Sequence, residues 1–121
     1  MFNRLLILAA AILTFASCSS EESTGSDSVE YKMATIDEGA PPNASLVATY
    51  ASTLDSLEPK CDESRSKIGD MSVVSRDLLE DKGIRATLLQ ILRDVDRSIP
   101  AEFGEQPCAD IFASYVTLRS S

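Results

Sequence analysis

From Asn43 onward, the apolar residues of this chain recur with a helical period. Leu46, Val47, Tyr50, Leu54 and Leu57 share one face of a predicted helix that opens behind Pro41-Pro42, with Asn43 or Ser45 as its N-cap, and stops at Glu58-Pro59. Pro59 suits the first turn of a second helix, where its missing N–H has no partner to lose, and Asp62 and Glu63 favour that end through the helix dipole. Ile68, Met71, Val74 and Leu78 form the stripe of this helix. Gly69 is an interior weak point, and Lys82-Gly83 supplies a cationic last turn and a terminating glycine. The third helix has the clearest pattern, with Ile84, Leu88, Ile91, Leu92, Val95 and Ile99 aligned up to Pro100. A loop from Ala101 to Gln106 follows. Pro107 opens a fourth helix, on which Cys108, Ile111, Phe112, Tyr115 and Leu118 line one face. No segment alternates as a strand does. The pattern predicts an all-α fold over residues 43–121, a small up-down bundle of four helices.

Residues 19–42 read differently. They hold six acids and one base, with frequent Ser, Gly and Pro. Such a composition buries too little apolar surface to offset its ordering entropy, so a disordered acidic linker is expected. Tyr31, Met33 and Ile36 are the exception, and offer a place where the linker docks on the domain or a partner, against the ordinary reading of a slightly sticky linker. Ahead of the linker, Arg4 gives a positive start and the apolar run from Leu5 to Phe15 is short for a bilayer span. Ala16-Ser17-Cys18-Ser19 closes it.

This opening stretch resembles the signal peptide and lipobox of a bacterial lipoprotein, with Phe15 standing where a branched residue, usually Leu, is found. The resemblance implies export, removal of residues 1–17 and a diacylglyceryl group on Cys18. Two acyl chains anchor a protein stably where one does not. Ser19, rather than Asp, follows the cysteine, which by analogy with enterobacterial sorting implies the periplasmic face of the outer membrane. The alternatives are ordinary cleavage with Cys18 left as a thiol, and an uncleaved anchor. The resulting division is a signal peptide over 1–17, a lipidated cysteine and linker over 18–42, and a helical domain over 43–121.

In an exported chain the three cysteines divide into one plus two. Cys18 takes the lipid, and Cys61 and Cys108 form a pair in an oxidising compartment. Both follow a proline at the predicted start of a helix. In an up-down-up-down bundle the second and fourth helices run parallel, so their N-termini share one end and a disulfide fits between them. The closed loop of ~47 residues is worth roughly 4 kcal/mol in the chain-entropy model.

The formal net charge is −8, and removing Arg4 with the leader takes it to −9. That balance argues against a nucleic-acid partner and against docking on anionic lipid through charge. There is no His, which removes the commonest general base and metal ligand. Ser64-Arg65-Ser66-Lys67 matches a Ser-x-x-Lys nucleophile motif, but the Ser-Asp-Asn and Lys-Thr-Gly elements that accompany it are missing, so these residues read as a solvated helix face. Asp94 and Asp96 lack the ligand series and glycine of a calcium loop, and read as a solvent-facing pair. Neither a metal nor another cofactor is expected.

Lys82, Arg85, Arg93 and Arg97 fall within about a third of the third helix's circumference. They offer a stripe for an acidic group on a partner, against the ordinary reading of surface salt bridges. Phe103 reads either as a lid on the bundle end or as a partner anchor. Tyr50, Met71, Phe112 and Tyr115 are core residues or the lining of a lipophilic pocket. The functional expectation is a non-catalytic interaction module, held at the membrane through Cys18 and binding an envelope protein partner. Arg85, Arg93, Arg97 and Phe103 are its candidate contacts. The alternatives are a carrier of a small lipophilic ligand and an immunity or exclusion factor that blocks a toxin or phage.

Overall fold

The computed structural model describes residues 28–121; the signal-peptide and lipidation expectations, with Cys18, lie outside them. Five α-helices make up the described fold: α1 (Val29–Glu38), α2 (Ala44–Leu57), α3 (Arg65–Asp81), α4 (Leu88–Ser98) and α5 (Cys108–Ser120). Short 3-10 turns at Glu58–Lys60 and Ala101–Phe103 join α2 to α3 and α4 to α5. Among the described residues there is no strand. The all-α class holds, with one helix more than the hydrophobic pattern predicts.

The additional helix is α1, which falls inside the expected linker. Ser28 caps it, its side chain accepting from Tyr31 N at 3.2 Å, and Gly39 ends it at φ 98°, a conformation that favours glycine. Met33 and Ala34 are buried. The three acids that give this stretch its linker-like composition hold it in place. Glu30 pairs with Arg65 of α3 at 3.1 Å, Asp37 caps the start of α4, and Glu38 accepts from Asn43 N at 2.6 Å. The boundary expected at residue 43 therefore lies within the folded unit, and Met33 is packed on the domain rather than carried on a sticky linker.

α2 begins at Asn43, whose side chain accepts from Ser45 N at 2.8 Å, and it buries Tyr50, Leu54 and Leu57 as its period requires. α1 packs mainly on α2, α2 on α4, and α3 on both α4 and α5. α4 supplies the centre of the core, with Leu88, Ile91, Leu92 and Val95 essentially without solvent exposure and Ile99 buried just beyond its end. On α5, Cys108, Phe112 and Val116 turn inward, while Ile111 and Tyr115 are half-buried and Leu118 is exposed.

α3 departs from its predicted stripe. Its buried face is Ile68, Gly69, Ser72, Ser75 and Leu79, while Val74 and Leu78 are exposed. The serines tolerate burial because each returns its hydroxyl to its own helix: Ser72 Oγ donates to Gly69 O at 2.7 Å and Ser75 Oγ to Met71 O at 2.8 Å. Gly69 serves close packing: a Cβ there would lie 3.1 Å from Val29 Cγ1 of α1.

Cys61 and Cys108 form the disulfide, with Cα atoms 5.3 Å apart. Its setting differs from the expected pair of helix N-termini. Cys108 is the first residue of α5, whereas Cys61 lies in extended backbone after the Glu58–Lys60 turn, and α3 starts only behind its Ser64 cap. A backbone clasp fixes the same end of the fold: Asp62 N donates to Gln106 O at 2.8 Å and Gln106 N to Lys60 O at 3.0 Å.

Candidate functional site

The cations of the expected stripe are divided between two elements. α4 starts at Leu88 behind its Thr87 cap, four residues later than the period suggested, so Lys82 and Arg85 precede it. Ile84 N is instead drawn back to Leu79 O at 2.9 Å, which fixes the turn out of α3 and prevents an earlier helix start. Only Arg93 and Arg97 ride on α4.

Arg85 lines an open, polar cleft of about 630 Å³, with Asp37, Arg76, Glu80, Thr87 and Gln90 around it. Arg76 is engaged by Asp77 at 2.9 Å and stands 3.9 Å from Glu80. Asp37 accepts from the backbone N of Leu88 at 3.0 Å and of Leu89 at 3.3 Å, and from the Tyr50 hydroxyl. Burial first, and then the Asp37 carboxylate, push the Tyr50 phenol far above its ordinary value. Asp37 is thus committed to holding α1, α2 and α4 together. Arg85 is exposed and, among the described residues, has no ion-pair partner.

A second depression, of about 360 Å³, lies between α2 and α4 and is lined by Ser52, Ser56, Arg93, Asp96 and Arg97. Asp96 accepts from Lys60 Nζ at 2.9 Å and from Ser56 Oγ at 2.9 Å. Arg97 pairs with Asp94 at 2.7 Å. Asp94 also accepts from the Tyr115 hydroxyl at 2.7 Å, and Arg119 Nη1 donates to that same hydroxyl at 2.7 Å. Burial, followed by the bond to Asp94, raises the Tyr115 phenol. Asp94 and Asp96 therefore leave α4 in different directions and tie it to different neighbours, rather than forming a solvent-facing pair. Arg93 is exposed and, like Arg85, has no ion-pair partner among the described residues.

Between α3 and α5 runs a third depression of about 260 Å³, apolar in lining, where Met71, Val74 and Leu78 face Phe112 and Val116. Of the four residues considered for a lipophilic pocket, only Met71 and Phe112 meet there. Tyr50 is sealed in the core and Tyr115 belongs to the Asp94 network. Phe103 stands 65% exposed beside Gly104, so it does not close the bundle end.

Ser64 of the Ser-x-x-Lys match caps α3, its side chain accepting from Lys67 N at 3.3 Å. Arg65, read from sequence as part of a solvated face, is instead a staple. Its Nε meets Glu58 at 2.8 Å, one terminal nitrogen meets Glu30 at 3.1 Å and the other meets Asp55. Burial alone works against its charge, but Glu58, Asp55 and Glu30 outweigh it and hold the guanidinium above its usual value. Glu63, expected to favour the start of the second helix, serves the start of α5 instead, accepting from Cys108 N at 3.0 Å and Ala109 N at 3.1 Å. The sulfurs of Cys61 and Cys108 and the Glu63 carboxylate lie within 4.8 Å of one another, but the sulfurs are bonded together and the carboxylate is occupied.

Comparison with protein-family models, curated proteins and solved structures finds no match for this chain.

Proposed function

We propose that this protein is a lipid-tethered, non-catalytic interaction module of the cell envelope, anchored through Cys18 and contacting an acidic group of a partner protein through Arg85 and Arg93. The observation that carries the reading is the uneven use of its cations. Lys60, Arg65, Arg76 and Arg97 are each engaged with acids of the fold, whereas Arg85 and Arg93 are exposed at two open clefts without an ion-pair partner among the described residues. In so acidic a chain, free guanidiniums beside open clefts suit a carboxylate or phosphate, which they grip bidentately. Exposed Phe103 is a further anchor of the type enriched at interfaces. The polar groups that hinted at catalysis or metal binding have structural duties: Ser64 caps a helix, and Asp94 and Asp96 tie α4 to its neighbours.

The described fold begins at Ser28, and ten residues of chain span at most about 35 Å, so an anchor at Cys18 holds the module within that distance of its lipid. A tether this short confines the search for a partner to the membrane surface and raises effective concentration there.

The test has two arms. Mass spectrometry of the mature protein is expected to find an acylated N-terminal Cys18, and an unmodified mature N-terminus elsewhere would overturn the anchor. In the second arm, Arg85→Glu with Arg93→Glu is expected to abolish partner crosslinking from position 103 while leaving the thermal melt unchanged. Undiminished crosslinking would overturn the contact surface.

A further inference from the structure

We propose that the exposed face of α3 is a self-association surface, on which a second copy of this chain docks antiparallel about a two-fold axis passing near Val74. Three residues define the face. Lys67, Val74 and Asp81 are spaced by seven, so they fall within about 40° of one another on the helix. Met71 and Leu78 flank Val74 on the same side, and Val74 and Leu78 are 57% and 45% exposed.

The face is self-complementary. Rotation about an axis at Val74 brings Lys67 of each copy against Asp81 of the other, two pairs about 21 Å apart, with Met71, Val74 and Leu78 between them and the exposed acids Asp70 and Asp77, the latter held by Arg76, along one edge. Among the described residues neither Lys67 nor Asp81 has an ion-pair partner within its own chain.

Both charges also oppose their own helix. Lys67 sits in the first turn of α3, near the positive end of the dipole, and Asp81 is its last residue, at the negative end. α3 has no acid in its first turn and no base in its last. In the antiparallel pairing each misplaced charge meets an opposite charge and the favourable pole of the partner helix. An arrangement that slightly destabilises the lone helix becomes favourable in the dimer.

The apolar part has a receiving surface. The groove between α3 and α5 has Ala109 and Ala113 beside Phe112 and Val116 on its α5 wall. Such small residues leave room for the partner copy's Val74 and Leu78 side chains. Covering them removes from water the two large hydrophobic side chains that α3 exposes.

The decisive experiment uses the full chain in its own membranes. Val74→Cys is expected to give a covalent dimer on mild oxidation, in which mass spectrometry finds two copies of the position-74 peptide joined. Glu80→Cys, about 120° away on α3, should give none. In sedimentation of the detergent-solubilised full chain, Lys67→Asp alone and Asp81→Lys alone should each weaken dimerisation about tenfold, since each turns two attractive pairs into repulsive ones. The double swap Lys67→Asp, Asp81→Lys should restore it. All these positions are exposed, so the fold and its disulfide should survive every change. A monomer at every concentration, a crosslink from position 74 to a different protein, a lipid copurifying in the groove of a monomer, or a double swap no better than the single changes would each overturn the proposal.

Discussion

Tyr50 donates its phenolic hydrogen to Asp37, and that same carboxylate receives the first backbone N–H groups of α4. One acid at the end of α1 thereby satisfies a hydroxyl buried on α2 and caps a helix some fifty residues further on. Replacing it with Ala leaves the Tyr50 hydroxyl without its partner and opens two helix N–H groups. The expected loss is about 2–4 kcal/mol by urea denaturation. Asp37→Asn keeps an acceptor and should recover more than half of that loss. An alanine variant as stable as the parent chain would show that α1 does not brace α4.

The same pair gives the protein an alkaline limit. The folded state favours the neutral Tyr50 phenol, so its folded value stands above the ordinary 10.0. The stabilisation is complete below pH 10.0 and is lost as pH rises beyond it, because only the unfolded chain releases the proton readily. Tyr115 acts in the same direction. Tyrosinate absorbance and circular dichroism followed together should change together at high pH, and Tyr50→Phe should raise the pH at which the helices melt. Tyr50 ionising near pH 10 with the helices intact would contradict this account.

Arg65 joins α1, α2 and the turn after α2 to the start of α3 through three carboxylates. Two of those partners are substantially exposed, so the network is worth less than its geometry suggests; Arg65→Ala should cost about 1–2 kcal/mol. Lys should restore little, because a single ammonium does not fork to three acids. Glu30, the most buried partner, should show the largest coupling to Arg65 in a double-mutant cycle.

Reduction of Cys61–Cys108 releases a loop of 47 residues, worth about 4 kcal/mol in the chain-entropy model. Cys61→Ala and reducing agent should lower the melting temperature by similar amounts, and the reducing agent should have no further effect on the variant. The Lys60–Gln106–Asp62 backbone clasp should let the helices persist at low temperature.

The fold is legible in the sequence where one physical effect dominates. The apolar residues of α4 from Leu88 to Ile99 form an unbroken helical stripe, and all the core positions assigned there are buried. The inner face of α3 is not legible, because Ser72 and Ser75 satisfy their own hydroxyls and so occupy core positions that polarity alone would forbid. The exposed Val74 and Leu78 then read as the inner face, where Met71 is only half-buried. α1 is hidden because composition averages over contacts: Glu30, Asp37 and Glu38 look like linker acids until their partners at Arg65, Leu88 and Asn43 are in place. At the candidate site, Arg85 and Arg93 have no ion-pair partner among the described residues whereas Arg97 pairs with Asp94, a distinction set by side-chain geometry and invisible along the chain. Phe103 was legible only as two alternatives, and its exposure removes the lid.

The position of the disulfide also governs how the fold bears load. Tension applied through the N-terminus enters at Val29 and acts first on α1, which is held by Met33, Ala34 and the Glu30–Arg65 pair and lies outside the covalent loop. The pull then reaches α2 and stops at Cys61, where the bond to Cys108 passes the force directly to α5. About 160 Å of chain between the two cysteines is withheld from extension. The molecule is built to yield at its N-terminal end while α3 and α4 stay folded behind a covalent stop.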